Sequence, residues 1–405
     1  MNLVTLAGGH FRRNALSTTL NLLLLAFGVA TVALIMLLGH QLDQRLQRDA
    51  ENIDLVVGAK GSPLQIILSS IFHVDVPTGN ISMTDARWVE EHPLVAGVIP
   101  LALGDSYQGL RIVGTNSRYL DHYDAQFAAG DIWPDNHGAV LGAEAARQTG
   151  LGIGDGFHGV HGITSQQAGA GFVHADHTYR VSGILEPTGS VLDRLILVSV
   201  ESVWEVHDAD GHWSRTGTDT PAERYLTALL VQYRSPLAAA MLPRLINSRD
   251  ALQAASPAYE TARLMQLVGV GTRTLQMVGW LLIGLAALGV FAVLYNAMRE
   301  RQYDLAMMRV LGATRKRAVA QVLAEALGLA TIGALLGLLL AHVGAELLAG
   351  LVSQAEAFRI TGRLFLPQEL LLMAAAWLLA LGAALLPAWR VYRTDVADVL
   401  QRGAR

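Results

Sequence analysis

Four uninterrupted apolar runs constrain this chain more than any other feature. A bilayer core takes about 20 apolar residues in a helix. Leu20–Leu38, Met277–Tyr295, Ala326–Ala345 and Leu370–Trp389 are each 19 or 20 residues long and carry no Asp, Glu, Lys or Arg. Leu, Ala and Gly dominate them, which suits close helix packing in lipid. Core helices of soluble proteins offer shorter apolar runs, so the pattern predicts four membrane-spanning helices. Composition agrees, since 16% of the 405 residues are charged against about 25% in soluble domains. A net charge of −4 supplies no basic field for nucleic acid. The absence of cysteine excludes disulfides, thiolate metal sites and cysteine nucleophiles.

The first run follows Arg12 and Arg13, as the core of a signal peptide would. It is longer than such cores, and no small-x-small cleavage site precedes Gln41, so an uncleaved anchor is expected. Orientation follows from positive charge near the span ends. Arg12, Arg13, the six cations of Asn296–Arg317 and the arginines after Trp389 face one side, while the loop between spans three and four holds Arg359 and Arg363. Both termini are therefore expected in the cytoplasm of a multi-pass protein of the inner membrane. The expected layout is an amphipathic segment over residues 1–15, spans over 16–39, 272–296, 318–350 and 368–390, an exported domain over 40–271, a cytoplasmic loop over 297–317, a short exported loop over 351–367 and a tail over 391–405. His342 is the one titratable group in the apolar run Ala326–Ala345, with Glu325 and Glu346 at its ends, and with no carboxylate expected opposite it in another span, it reads as a helix-end residue.

The exported segment holds 26 of the 34 acidic residues and 11 of the 13 histidines. Leu110–Gly114, Tyr179–Leu185, Leu195–Val200 and Ala228–Tyr233 are β-branched and apolar between turn signals, and read as strands. Ser82–Val89 reads as a helix start with Thr84 as N-cap, and Pro236–Ala255 has helical spacing. An α+β domain follows. Gly61–His73 is apolar but too short to span, which leaves a core helix or an interfacial segment. Phe157–His177 carries His158, His161, His174, Asp176 and His177. The paired H-x₂-H spacing would supply four imidazoles to zinc if the glycine-rich middle folds back. The same glycines suit a solvated loop.

Asn296–Arg317, NAMRERQYDLAMMRVLGATRKR, continues span two without a breaker. Glu300 and Asp304 share a helical face, Gly312 is placed to end the helix, and Thr314 can cap the next one. Arg299–Thr314 resembles the R-E-R-x-x-E-I-G-x-x-R-A-L-G-A signature of MacB/FtsX-type ABC transporter permeases, the group that includes the LolC/LolE lipoprotein exporters. Glu300, Arg301, Arg309, Leu311, Gly312 and Ala313 fit; Asp304 and Ala306 stand where Glu and Gly are usual. Pro387, Asp395 and Leu400 fit the family's C-terminal P-A-x-x-A-x-x-x-D-P-x-x-A-L pattern, with Val396 in place of its second proline. Phe11–Leu16 resembles the family's entry to span one more loosely.

The resemblance implies a permease dimer, of identical or paralogous chains, seated on two copies of an ATPase. Glu300, Arg301, Asp304, Leu305, Met308, Arg309, Leu311, Gly312 and Ala313 would then occupy the coupling positions. It implies periplasmic handling of an apolar or amphipathic cargo (lipoprotein, lipid, peptide or drug), contact with membrane lipids, and an adaptor or lipoprotein as a further partner. No catalysis and no cofactor are expected of the chain itself, ATP and magnesium belonging to the ATPase. A P-loop needs G-x-x-x-x-G-K-[ST], and neither Lys60 nor Lys316 sits in one, so the ATPase is expected on a separate chain. A receptor with an exported ligand-binding domain is the competing reading, opposed by the small cytoplasmic share of the sequence.

Overall fold

The computed structural model describes residues 15–162, 177–209, 224–300, 314–351 and 360–393. The chain divides into two compact units, one of Met1–Leu42 with Leu267–Arg405, the other Asp43–Gln266. Among the described residues, four helices are long and apolar enough to cross a membrane: Ala15–Asp49, Pro257–Glu300, Arg315–Leu351 and Pro367–Arg393. Each contains one of the apolar runs and extends beyond it.

In the first unit small residues face inward. Ala286, Ala330, Ala334, Ala376, Ala380 and Ala384 pack with Val29 and Ile283. Leu281, Leu288, Leu339, Leu378 and Leu385 face outward. That inversion of a soluble core is stable only in lipid, where an outward leucine finds an apolar medium and helices associate through close contact. The first two helices meet at paired glycines. A Cβ on Gly28 would stand 3.0 Å from the Gly279 carbonyl oxygen, and one on Gly279 would stand 3.2 Å from that of Gly28.

The second unit is a sheet with helices. Its strands are β1 (Leu55–Ala59), β2 (Ile81–Ser82), β3 (Val95–Tyr107), β4 (Leu110–Thr115), β5 (Phe127–Gly130), β6 (Gly138–Leu141) and β7 (Gly156–Phe157). There follow β8 (Val160–His161), β9 (Tyr179–Leu185), β10 (Ile196–Ser199), β11 (Tyr225–Leu226), β12 (Ala228–Tyr233) and β13 (Leu252–Ala255). The main sheet runs β13-β1-β12-β3-β4-β10-β6-β9-β5, with β7 on β9 and β8 on β3. The pairs β4/β10 and β6/β9 are parallel, and the others along this path are antiparallel. Val57, Leu110, Ile112, Leu141, Val181, Ile196 and Val231 build its core. The α+β reading stands.

Three local expectations resolve here. Gly61–His73 contains a core helix, Pro63–Ser70, capped by Ser62 and burying Ile66 and Ile67. The helix near residue 84 spans Met83–Glu90, and its cap is Ser82 rather than Thr84. Ser82 Oγ accepts from Asp85 N at 3.1 Å and donates to Asp85 Oδ2 at 3.0 Å, satisfying an N-terminal amide two residues earlier than expected. Helical spacing after Pro236 holds only to Asn247. There the Asn247 side chain accepts from Ala254 N at 2.7 Å, and the chain turns into β13.

His73 has φ +53°. Its Nε2 lies 3.1 Å from Tyr119 Oη, while its Nδ1 is shut off from solvent. Burial first, then repulsion from Arg111 and Arg194, holds His73 well below the ordinary imidazole value of 6.5. The unfolded chain thus binds a proton that the folded one refuses. Stability from this group is complete above pH 6.5 and falls as the pH drops below it, by at most about 1.4 kcal/mol per pH unit. Melting curves recorded on either side of that value should show the decline, and His73→Phe should flatten it. An unchanged slope in the variant would assign the effect to other groups.

Candidate functional site

Of the residues placed in the cytoplasmic loop, Arg301, Asp304, Leu305, Met308, Arg309, Leu311, Gly312 and Ala313 lie outside the described residues, as do Asp395 and Leu400. Glu300 ends the second spanning helix, and Pro387 lies inside the fourth. Both flanks of the loop are described. Thr314 Oγ1 accepts from Arg317 N at 3.4 Å, the capping role expected of it. Before the loop, Tyr295 Oη accepts from Arg390 Nη1 at 2.6 Å, with the guanidinium 4.7 Å from the ring centre. After the loop, the Arg315 guanidinium lies 5.7 Å from the Tyr392 ring centre. The end of the fourth helix therefore touches the chain on both sides of the loop, through cation–π contacts of a kind worth about 0.5–1 kcal/mol where exposed.

At the opposite end of the third helix a polar knot gathers around Ile360–Leu366. Gln41 Nε2 donates to the Thr361 carbonyl at 3.0 Å, and Thr361 N donates back to Gln41 Oε1 at 2.9 Å. Gly362 N donates to Glu346 Oε2 at 2.8 Å. His342 Nδ1 donates to the Gly362 carbonyl at 2.6 Å, and its Nε2 lies 3.1 Å from Glu369 Oε2. His342 thus has a carboxylate partner on the fourth helix, which the sequence reading did not give it. Glu369 faces it because it stands in the first turn of Pro367–Arg393, where its Oε1 also accepts from Leu366 N at 3.1 Å.

The described histidines of Phe157–His177 fall in two places. His174 and Asp176 lie outside the described residues. His158 Nδ1 donates to the His177 carbonyl at 3.2 Å, and the His177 ring stacks on His137 with centres 4.6 Å apart. His161 goes elsewhere. On β8 it is the register partner of Asp105 on β3, with Nδ1 3.3 Å from Asp105 Oδ1. His207, on the helix Val200–Ala209, brings Nε2 to 3.8 Å from the same oxygen.

The fold sets this trio firmly. Gly162 N donates to the Gly104 carbonyl at 2.7 Å and Ser106 Oγ to the Gly162 carbonyl at 2.6 Å, fastening β8 to β3. His207 Nδ1 donates to the Val203 carbonyl at 2.8 Å. The Asp105 and His207 side chains are 2% and 9% exposed, and that of His161 is 53% exposed. The sequence reading missed Asp105 and His207. Their signals were a carboxylate two residues before Tyr107 in a largely apolar strand, and an imidazole four residues after Val203 on a buried helical stripe.

Two family models match the chain. The MacB-like periplasmic core domain covers residues 18–248 and the FtsX-like permease C-terminal domain residues 277–396. The chain belongs to the MacB/FtsX-like permease family. It is a membrane protein with the family's two parts in the family's order, a family of ABC transporter permeases. Among solved structures it is similar to the periplasmic region of MacB from Actinobacillus actinomycetemcomitans, at 12% identity and TM-score 0.35 over 54% of this chain and 95% of that one. It is also similar to the extracellular domain of the noncanonic ABC-type transporter YknZ from Gram-positive bacteria, at 15% identity and TM-score 0.29 over 50% and 99%. A permease domain from Porphyromonas gingivalis gives 16% identity and TM-score 0.28 over 50% and 88%. No curated protein matches the sequence.

Proposed function

We propose that the chain is the membrane subunit of an ABC transporter whose ATPase is a separate chain. Two permease copies sit on two ATPase copies in the inner membrane, with both termini cytoplasmic. Residues 297–317 dock on the ATPase through Glu300, Arg301, Asp304, Leu305, Met308, Arg309, Leu311, Gly312 and Ala313. Closure of the ATPase pair moves the loop, and the long second and third helices carry that motion toward the domain between helices one and two. Cargo is handled there, and its class is apolar or amphipathic.

The observation that carries this reading is the family membership joined to the loop's flanks. Tyr295 on one side and Arg315 on the other both contact the end of the fourth helix, which favours movement of the loop as one piece with three spans. The chain purified with the ATPase encoded beside it should yield a stable complex. Glu300→Ala and Gly312→Pro should each reduce transport roughly tenfold or more, the scale of an interface hot spot, with insertion unaltered. Failure to co-purify, together with wild-type transport by both variants, would refute the proposal.

A further inference from the structure

We infer that Asp105, His161 and His207 form a binding site for one divalent transition-metal ion of the zinc type. The trio offers three donor atoms that all lie within 4.8 Å of one another. A four-coordinate ion bonded at about 2.0–2.2 Å keeps its donors roughly 3.3–3.6 Å apart. Asp105 Oδ1 already lies 3.3 Å from His161 Nδ1 and 3.8 Å from His207 Nε2. The remaining pair, His161 and His207, lies within 4.8 Å, so a swing of the half-exposed His161 side chain by up to about an ångström brings all three donors to that spacing.

The tautomer of His207 strengthens the assignment. A carbonyl oxygen only accepts, so the hydrogen bond to Val203 places a proton on Nδ1. In the neutral ring, Nε2 then presents a lone pair toward a buried carboxylate. At 3.8 Å the two are too far apart for a direct hydrogen bond, but they are spaced to share a cation. An imidazole that donates one ring N–H to a backbone carbonyl and turns its other nitrogen to the ion is the usual arrangement at metal sites. Two imidazoles and one carboxylate suit zinc and its first-row neighbours, whereas magnesium and calcium prefer oxygen ligands alone. Water takes the fourth position on the exposed His161 side. Metal binding here needs no residue of the ATPase, since the donors lie wholly within the second unit.

The test is calorimetric titration of the full-length, tag-free permease in detergent with zinc chloride, alongside cobalt(II), whose visible bands report tetrahedral nitrogen and oxygen ligation. One saturable zinc per chain is expected, with a rise in melting temperature. His161→Ala and His207→Ala should each weaken binding by about tenfold or more, since even loss of an outer partner costs 10–100-fold. His161→Ala keeps the test valid should His207→Ala fail to fold, because its side chain is half exposed. His158→Ala, outside the trio, should bind as the wild type does. Absence of saturable zinc in the wild type overturns the inference. So does undiminished binding in His161→Ala, or loss of binding in His158→Ala.

Discussion

Gly337→Leu is expected to destabilise the packing of the four membrane helices strongly. A methyl group alone at this position would stand 2.6 Å from Val29 Cβ and 2.7 Å from the Ala26 carbonyl oxygen. Both residues belong to the first helix and are fully buried. The obstacle is partly backbone, so rotation of a side chain cannot relieve it; the first and third helices must part. In lipid that separation is serious, because close contact rather than expulsion of water holds the helices together. Overpacking a well-filled core costs about 1–3 kcal/mol, and a leucine against backbone belongs at the upper end. At roughly 2–4 °C per kcal/mol for a unit of this size, melting should fall by roughly 10 °C. Gly337→Ala should fall part of the way. Gly382→Leu, whose Cβ meets nothing within 4 Å, should melt near the wild type. Equal melting of all three would mean that the first and third helices do not meet at Gly337.

The contrast between what sequence revealed and what it did not follows the range of the forces involved. Lipid thickness imposes a length on each span whatever its neighbours are, so Leu20–Leu38 and its three counterparts were readable one at a time. Where the helices end was not readable, because Pro257–Glu300 runs on through polar residues that no bilayer requirement marks. Strands β4, β9, β10 and β12 were visible as β-branched and apolar runs between turn signals, a local property. Their partners were not, since β1 pairs with β12 and β13 from the far end of the domain, and nothing in Leu55–Ala59 specifies that. The same limit governed the sites. His161 was conspicuous as one of several nearby histidines. Its actual companions arrive through the β3–β8 register and a helix later in the chain, and side-chain identity alone could not choose between His158 and Asp105. The coupling loop is the opposite case, where a contiguous signature could be read directly.

Glu369→Leu is the second change expected to act strongly, and its partner variants show why. The carboxylate holds two groups at once, His342 through Oε2 and the Leu366 amide through Oε1. The His342 and Glu369 side chains are 12% and 3% exposed, so water cannot replace what is lost. With His342 Nδ1 donating to the Gly362 carbonyl, the hydrogen bond between Nε2 and Glu369 Oε2 takes one further proton, donated either by the ring or by the carboxyl. Removing one partner of such a buried pair costs about 3–5 kcal/mol. Glu369→Gln keeps one acceptor for the Leu366 amide and turns its NH2 toward His342 Nε2, which then accepts, so the contacts survive without charge and about 1–2 kcal/mol is expected. The double variant His342→Leu with Glu369→Leu removes the stranded imidazole as well. It should recover much of the single-variant loss, because apolar replacement of a whole buried pair is often close to neutral. A double-mutant cycle on melting of the full chain measures this coupling. Strictly additive losses would mean that the two side chains act separately. Recovery in the double variant without recovery of transport would separate the knot's two roles. The polar pair would then be dispensable for holding Ile360–Leu366 in place, and required for moving it.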